Sequence, residues 1–223
     1  MRRIAAAVLR VVIFEAVIAA VLFGCAGRLD LPWFWALIAV HSIGLLAGMA
    51  GMAPDLVRER VNPSAGPAGK EYVFRLGGTA VILAHLAIAG LDVGRFHWSD
   101  PPPVVLRVVG LLIYALGLGV SMWAIVSNRF FSSVVRLQPE RGHHVVDTGP
   151  YRYVRHPGYA GMIVAALSGC VVLGSWWSGL PMVLFGAMAL RRLAMEDRFL
   201  NAELTGYRDY AGRVRSKLLP GVW

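Results

Sequence analysis

Residues 136–161 contain the side chains of this sequence best suited to bind and orient a small polar molecule. His156 precedes Pro157, so the backbone of His156 is pushed towards an extended conformation, while Pro157 suits the first turn of a helix. The free backbone N–H groups at such a helix N-terminus attract an anion or a carboxylate. Tyr151 and Tyr159 add ring faces and hydroxyl groups that suit a planar base and a ribose. An aromatic and arginine anchor at a membrane interface is the alternative interpretation.

A second candidate pair, Arg192 and Glu196, is separated by four positions within residues 190–200. On a helix this spacing places both side chains on one face, where an ordinary surface ion pair would contribute about 0.2–0.5 kcal/mol. The basic residue precedes the acidic one, which is the weaker order for such a pair. Charges at the edge of a membrane also need partners, so a functional role is an equally open hypothesis.

The composition sets the environment in which these residues must work. The chain has 223 residues, of which 57% are hydrophobic and 16% charged, and its mean hydropathy is +0.60. An average soluble domain is about 45–50% apolar and about 25% charged. These proportions exclude a soluble domain and a disordered chain, and two cysteines are too few for a disulfide scaffold. The composition therefore predicts a membrane protein with several spans.

Apolar segments predict an all-α fold, a transmembrane bundle of five or six spans. A bilayer core of about 30 Å needs roughly 20 apolar residues. Four stretches meet this requirement: residues 4–24, 33–53, 72–91 and 104–126. A fifth apolar region is interrupted by GSWWSGLP and predicts a helical hairpin with arms at 158–174 and 178–193. The first arm is short, so we expect it to be tilted or packed inside the bundle.

Positive charge follows this layout unevenly. Nineteen of the 22 lysines and arginines lie near the two termini, in residues 54–75 and in residues 127–158, and three lie in the intervening segments. The positive-inside rule therefore predicts a multi-pass protein of the cell (inner) membrane with both termini in the cytoplasm. The net charge of +9 is explained by topology and does not require nucleic-acid binding. We expect residues 4–24 to be a retained helix rather than a cleaved signal, because Glu15 interrupts the apolar run.

Polar, aromatic and histidine content rises after residue 126, so we divide the chain into N-terminal transmembrane helices (1–126) and a cofactor-binding, catalytic region (127–223). The connection 54–70 is rich in proline, glycine and serine and predicts a flexible link. In the tail, apolar residues at helical spacing oppose basic ones, which predicts a cytoplasmic amphipathic helix that could cover a site. Its apolar positions are Leu200, Leu204, Tyr207, Ala211, Val214 and Leu218.

The remaining ionisable residues favour structural roles. Glu15, His41 and His85 lie within predicted spans, where interhelical hydrogen bonds are their expected function. The six histidines include one adjacent pair, His143 and His144, and no His-x-x-x-His spacing. The sequence therefore predicts no metal centre.

Three segments together resemble a known family. GPYRYVRHPGYAG (149–161), RRLAMEDRFL (191–200) and the tail GYRDYAGRVRSKLLPGVW (206–223) resemble the isoprenylcysteine carboxyl methyltransferase family and its bacterial integral-membrane branch. The resemblance covers about residues 128–223, and the preceding residues match only in being transmembrane. It implies a methyltransferase that uses S-adenosylmethionine and acts on a lipophilic or lipid-modified acceptor at the lipid bilayer, first of all on a carboxylate.

The same resemblance assigns roles to individual residues. Arg192 falls on the arginine that faces the substrate carboxylate, and Glu196 falls on an acid that binds the cofactor. The remaining cofactor-contacting positions that the resemblance implies are Gln138, His143, His144, Val145, Val146, Tyr151, His156, Pro157, Gly158 and Tyr159.

Several alternatives stay open at this point. Related methyltransferases act on phospholipids, amines or thiols, and a neutral acceptor of that kind would need a base, for which His156 or Glu196 would be the candidates. Sterol-type reductases resemble the C-terminal half but use NADPH. A membrane scaffold without catalytic activity is the third alternative, although it has no physical need for charges at the membrane edge.

Overall fold

The computed structural model of the chain describes residues 2–61, 68–221 and 223. In these residues the chain is helical, without a β-strand. The helices are α1 (Arg2–Ala26), α2 (Pro32–Gly51), α3 (Pro54–Val61), α4 (Ala68–Leu91), α5 (Val104–Ser127), α6 (Pro157–Leu173), α7 (Gly179–Glu203) and α8 (Tyr207–Arg213). A π-helical turn, Asp92–Phe96, extends α4, and two 3-10 turns, Pro139–Arg141 and Gly149–Arg152, lie between α5 and α6.

Four of these helices are long and apolar enough to cross a membrane. The qualifying segments are Val8–Ala26, Pro32–Gly51, Phe74–Phe96 and Val104–Ser127. They confirm the four predicted spans and the all-helical fold class. The helix α6 is apolar but shorter, as the hairpin prediction expected. The number of spans beyond these four stays a prediction.

The hairpin is formed by α6 and α7, close to its predicted bounds. Gly174 ends α6 in the left-handed region, at φ 85°, where glycine is favoured. The following Ser175 donates a hydrogen bond from Oγ to Oδ2 of the buried Asp92 at 2.6 Å, and Ser99 donates to the same carboxylate. The hairpin tip is thereby tied to the connection between α4 and α5. At the other end, α7 continues to Glu203 and carries its polar residues beyond the apolar arm.

Buried ionisable residues of the spans have interhelical partners, as predicted. Glu15 on α1 and His41 on α2 are 2.8 Å apart between Oε1 and Nδ1. Nδ1 of His85 on α4 lies 2.9 Å from the carbonyl oxygen of Ser178. Such contacts reduce the penalty of burying a polar group within hydrocarbon, while Oε2 of Glu15 has no hydrogen-bond partner among the described residues.

The predicted flexible link at 54–70 is wrong for its first half. Residues Pro54–Val61 form the helix α3, whereas residues 62–67 lie outside the described residues. Asp55 and Glu59 on α3 accept hydrogen bonds from side chains in the connection between α5 and α6. These tertiary contacts stabilise a helix that the composition of the surrounding segment obscured.

The predicted continuous amphipathic helix over residues 200–218 is also wrong. The helix α7 ends at Glu203, Gly206 takes a positive φ of 81°, and α8 spans only Tyr207–Arg213. Glycine favours this interruption because it adopts left-handed backbone angles without steric cost. The tyrosines Tyr207 and Tyr210 are buried against the protein. The helical spacing of apolar residues in the tail therefore reflects packing against the rest of the protein.

Contact between α5 and α6 is the most extensive helix packing in the described residues, and it depends on small side chains. A Cβ atom added to Gly161 would collide with the carbonyl oxygen of Gly117 and with Oγ of Ser121. Nearby, Ser121 donates a hydrogen bond to the carbonyl oxygen of Gly158 at 3.2 Å. Small residues at helix interfaces permit such close backbone approach in membranes.

We predict that Gly161→Ala destabilises the protein, because neither helix backbone can move away without losing this packing. The free energy of unfolding should fall by about 1–3 kcal/mol, measured as thermal loss of helical circular dichroism in detergent. The matched control is Gly119→Ala on α5, where an added Cβ meets no atom within 4 Å. Equal stability of Gly161→Ala and Gly119→Ala would contradict the packing argument.

Candidate active site

A cavity of about 380 Å³ lies where the apolar helices meet the polar segments that follow α5 and end α7. Its volume is within the range of about 300–1,000 Å³ typical of small-molecule sites. One part of the wall comes from α4, α6 and the apolar part of α7, and its side chains include Phe74, Thr79, Ile82, Met162 and Phe185. The other part comes from the connection between α5 and α6, the end of α7, and α8. The cavity thus offers both apolar and polar surface.

Most of the residues predicted from the sequence lie together in this wall. The predicted residues that line the cavity are His143, His144, Val145, Val146, Tyr151, His156, Gly158, Tyr159, Arg192 and Glu196. The turn that carries Gly149 delivers Tyr151, and the start of α6 delivers Gly158 and Tyr159. The long α7 delivers Arg192 and Glu196 on one face. Their contact with a cofactor or an acceptor stays a prediction.

Two predicted residues, Gln138 and Pro157, do not line the cavity. Gln138 is 1% exposed, and its Nε2 donates to the carbonyl oxygen of Phe130 at 2.7 Å. Its Oε1 accepts a hydrogen bond from Arg141. Pro157 is fully buried at the first position of α6. Both residues are buried beneath the residues that line the cavity.

Arg192 and Glu196 are joined through the hydroxyl group of Tyr159. Nε of Arg192 donates to the Tyr159 hydroxyl at 3.1 Å, and that hydroxyl donates to Oε2 of Glu196 at 2.7 Å. Nη2 of Arg192 donates to the carbonyl oxygen of Ser133 at 2.7 Å, and the guanidinium stacks on Phe74 at 4.8 Å. The arginine is therefore fixed in orientation by contacts from three different segments. This arrangement is more than a simple surface ion pair.

Behind the polar wall, and bonded to several of its residues, lies Asp197, which sequence reasoning missed. Its carboxylate is 5% exposed and accepts from Nε and Nη2 of Arg155 at 3.0 and 3.2 Å. His156 Nε2 lies 3.1 Å away, and the hydroxyl of Tyr207 donates at 3.0 Å. Lys217 Nζ approaches at 3.5 Å. The partners are distant in sequence, so no local spacing reveals the cluster, although its position directly after Glu196 was visible.

The tail covers one side of this cluster. Backbone N–H groups of Arg155 and His156 donate to the carbonyl oxygens of Ser216 and Lys217 at 3.0 and 2.9 Å. The Arg155 guanidinium also donates to two tail carbonyl groups at 2.8 Å, while the Tyr210 hydroxyl donates to the carbonyl oxygen of Tyr151 at 2.7 Å. A non-helical segment of the tail thus covers residues 155–156.

Burial and nearby charges shift the pKa of two residues that line the cavity, His143 and Tyr207. Burial lowers the pKa of His143, and the neighbouring His144 and Arg136 lower it further, so the His143 imidazole is neutral at pH 7. Burial raises the pKa of Tyr207, and the negative charge of Asp197 raises it further. Tyr207 therefore remains a hydrogen-bond donor to that carboxylate at any physiological pH.

Asp55 on α3 shows the opposite shift. Hydrogen bonds from Nη2 of Arg141 at 2.7 Å and of Arg129 at 3.0 Å lower the pKa of Asp55 to about 2. The carboxylate is therefore ionised throughout the physiological range, and it links α3 to both ends of the segment 129–141. No group of three or more potential metal ligands converges within the described part of the chain.

Comparison with known proteins identifies a family and several relatives. The model of the isoprenylcysteine carboxyl methyltransferase family matches residues 108–202. A probable protein-S-isoprenylcysteine O-methyltransferase of Oryza sativa is 32% identical over 166 residues, covering 72% of this chain and 82% of the relative. Protein-S-isoprenylcysteine O-methyltransferase A of Arabidopsis thaliana is 29% identical over 110 residues, covering 48% and 56%. The corresponding protein of Schizosaccharomyces pombe is 30% identical over 98 residues, covering 43% and 40%. The match to the Oryza sativa relative covers most of both chains and identifies the protein as a membrane methyltransferase of the isoprenylcysteine carboxyl methyltransferase family.

Proposed function

We propose that the protein transfers a methyl group from S-adenosylmethionine to the carboxylate of a lipophilic acceptor at the cytoplasmic face of the membrane. The observation that carries this proposal is the position of Arg192. Its guanidinium is held beside Tyr159 and Glu196 in a cavity that also has an apolar wall of membrane helices. An acceptor with a charged end and a hydrocarbon chain needs both kinds of surface.

The polar wall suits the cofactor for two reasons. Tyr151, Tyr207 and Tyr210 contribute aromatic surface for an adenine ring. Oγ of Ser133 and Nε of Arg136 are buried and have no hydrogen-bond partner among the described atoms, although both residues line the cavity. A bound ligand with oxygen atoms would satisfy such groups, whose burial is otherwise unfavourable. We therefore assign cofactor binding to the cavity-lining residues His143–Val146, Tyr151, His156, Gly158, Tyr159 and Glu196, with Gln138 and Pro157 supporting them.

The chemistry needs little from the protein beyond positioning. Bound S-adenosylmethionine supplies an electrophilic methyl group, and a carboxylate is already ionised at pH 7, so no strong base is required. Arg192 would hold the two carboxylate oxygens with its planar N–H donors, which a lysine cannot reproduce. Correct alignment of two reactants can contribute about 7–11 kcal/mol to catalysis. Closure by the tail and by α8 would exclude water and reduce solvation of the carboxylate.

The geometry favours a carboxylate over an amine or a thiol. His156 Nε2 faces Asp197, and Oε2 of Glu196 accepts a hydrogen bond from the hydroxyl group of Tyr159. Both candidate bases are therefore engaged in hydrogen bonds that fix the wall. The names of the plant and yeast relatives specify an S-isoprenylcysteine. For this chain we propose a carboxylic acid with a long apolar substituent, of which N-acetyl-S-farnesylcysteine is a suitable probe.

Ligand binding tests the cofactor assignment. We predict that the detergent-purified protein binds S-adenosylhomocysteine with micromolar affinity by calorimetry and does not bind NADPH. His144→Ala should weaken this binding by up to about tenfold, the effect of one lost hydrogen bond or stacking contact. His144 is exposed, so the substitution spares the core. Trp177→Ala, at the hairpin tip, is the matched control that should bind normally. NADPH binding without S-adenosylhomocysteine binding would replace this proposal with a reductase.

Catalysis tests the role of Arg192. We predict that Arg192→Lys lowers kcat for methylation of N-acetyl-S-farnesylcysteine by about 100-fold, because a displaced carboxylate loses its alignment with the methyl group. Binding of S-adenosylhomocysteine should survive. Activity is measured by transfer of a radiolabelled methyl group into the extracted ester.

The neighbouring Arg191 is exposed on the same helix turn, and Arg191→Lys should retain full activity. Parallel loss of cofactor binding and of methyl transfer in Arg192→Lys would show that this arginine supports the fold or the cofactor rather than the acceptor.

A further inference from the structure

We propose that Glu59, on the short helix α3, is a positioning residue for Arg192. Glu59 belongs to the N-terminal half of the chain and does not line the cavity. It nevertheless holds, from outside, the segment whose inner side binds Arg192. The inference rests on the proposed role of Arg192 in holding the acceptor carboxylate.

One buried carboxylate contacts this segment at both of its ends, while Glu140 also pairs with Nη1 of Arg136 at 2.8 Å. Glu59 is 5% exposed, and its Oε1 accepts from Oγ of Ser132 at 2.9 Å. Its Oε2 accepts from Nη2 of Arg136 at 3.2 Å. Oγ of Ser132 in turn accepts from the backbone N–H of Val134 at 3.2 Å. Glu59 thereby fixes both ends of residues 132–136 and, through Ser132, their backbone.

The inner contact of the same segment reaches the proposed reaction centre. Between the two residues held by Glu59, the carbonyl group of Ser133 accepts a hydrogen bond from Nη2 of Arg192 at 2.7 Å. Residues 128–138 contain no helix or strand, so secondary structure does not hold this carbonyl in place. Its position depends on side-chain contacts, and those from Glu59 flank it directly.

Charge gives Glu59 a second effect on the site. Arg136 lines the cavity together with Arg155 and Arg192. Glu59 lies against Arg136 where that guanidinium is largely buried, with the arginine side chain 12% exposed. Removal of the carboxylate would increase net positive charge in the wall, where a low dielectric makes each charge more influential. The effect on Arg192 is therefore both geometric and electrostatic.

A double-mutant cycle with Arg192→Lys tests the link. Glu59→Gln keeps the volume of the side chain and removes its charge. We expect it to lower kcat for the farnesylcysteine probe about tenfold and to change S-adenosylhomocysteine affinity by less than about threefold. In the Arg192→Lys background the effect of Glu59→Gln should shrink to about twofold, since residues that act through one another are not additive. Equal effects in both backgrounds would overturn the proposal.

The matched control is Asp55→Asn, four residues earlier on the same helix. Asp55 also binds arginines of the connection, Arg129 and Arg141, but neither of them flanks Ser133. Its effect on kcat should be the same with and without Arg192→Lys. Should Glu59→Gln fail to fold, Ser132→Ala removes the hydroxyl bridge to Val134 with no change of charge. It should show the same dependence on Arg192.

Hydrogen exchange supplies a readout that needs neither cofactor nor acceptor. In full-length protein, Glu59→Gln should accelerate amide exchange within residues 131–136, and Asp55→Asn should leave Val134 protected. Unchanged exchange in Glu59→Gln would overturn the positioning role. Failure of the proposed function is seen separately, as absence of methyl transfer by the unmodified protein, because the exchange result does not depend on it.

Discussion

The buried carboxylate of Asp197 is the interaction on which the polar end of the protein, at the end of α7, depends. It lies on α7, and it joins Arg155 and His156 before α6, Tyr207 on α8 and Lys217 in the tail. Removing one partner of a buried ion pair generally costs about 3–5 kcal/mol, because the other charge is left without compensation. Here the uncompensated group would be Arg155, whose guanidinium also orders the tail. One side chain therefore determines whether four segments close around the cavity.

The bilayer explains why the site is built at the end of long helices. Within hydrocarbon each polar group needs an internal partner. Glu15 has His41 as such a partner, and Asp92 accepts hydrogen bonds from Ser99 and Ser175. A reaction that brings a carboxylate to a charged cofactor requires more polar groups than a span can accommodate. The continuation of α7 to Glu203 moves those groups out of the apolar region while its earlier turns still contact α4 and α6.

Sequence reasoning predicted the parts that depend on local signals. Runs of apolar residues predicted the four candidate spans. The interruption that begins at Gly174 predicted the helical hairpin of α6 and α7. The His156–Pro157 pair gave the start of α6, and the resemblance placed most of the cavity wall. The failures depend on tertiary contacts. The helix α3 is held by arginines from the connection 129–141, and the tail is extended because it bonds to Arg155 and His156. No spacing within either segment carries that information.

Arginine distribution has two meanings in this protein that the sequence could not separate. From the sequence alone, the positive-inside rule predicts that the arginines of residues 127–158 determine orientation. In the structure most of the same residues cross-link the site: Arg129 and Arg141 bind Asp55, Arg136 binds Glu59 and Glu140, and Arg155 binds Asp197. These ion pairs with acids of other segments hold the connection between α5 and α6 in place around the cavity. Because these acids lie next to the arginines in the fold, one set of side chains can serve both the predicted orientation and the support of the cavity.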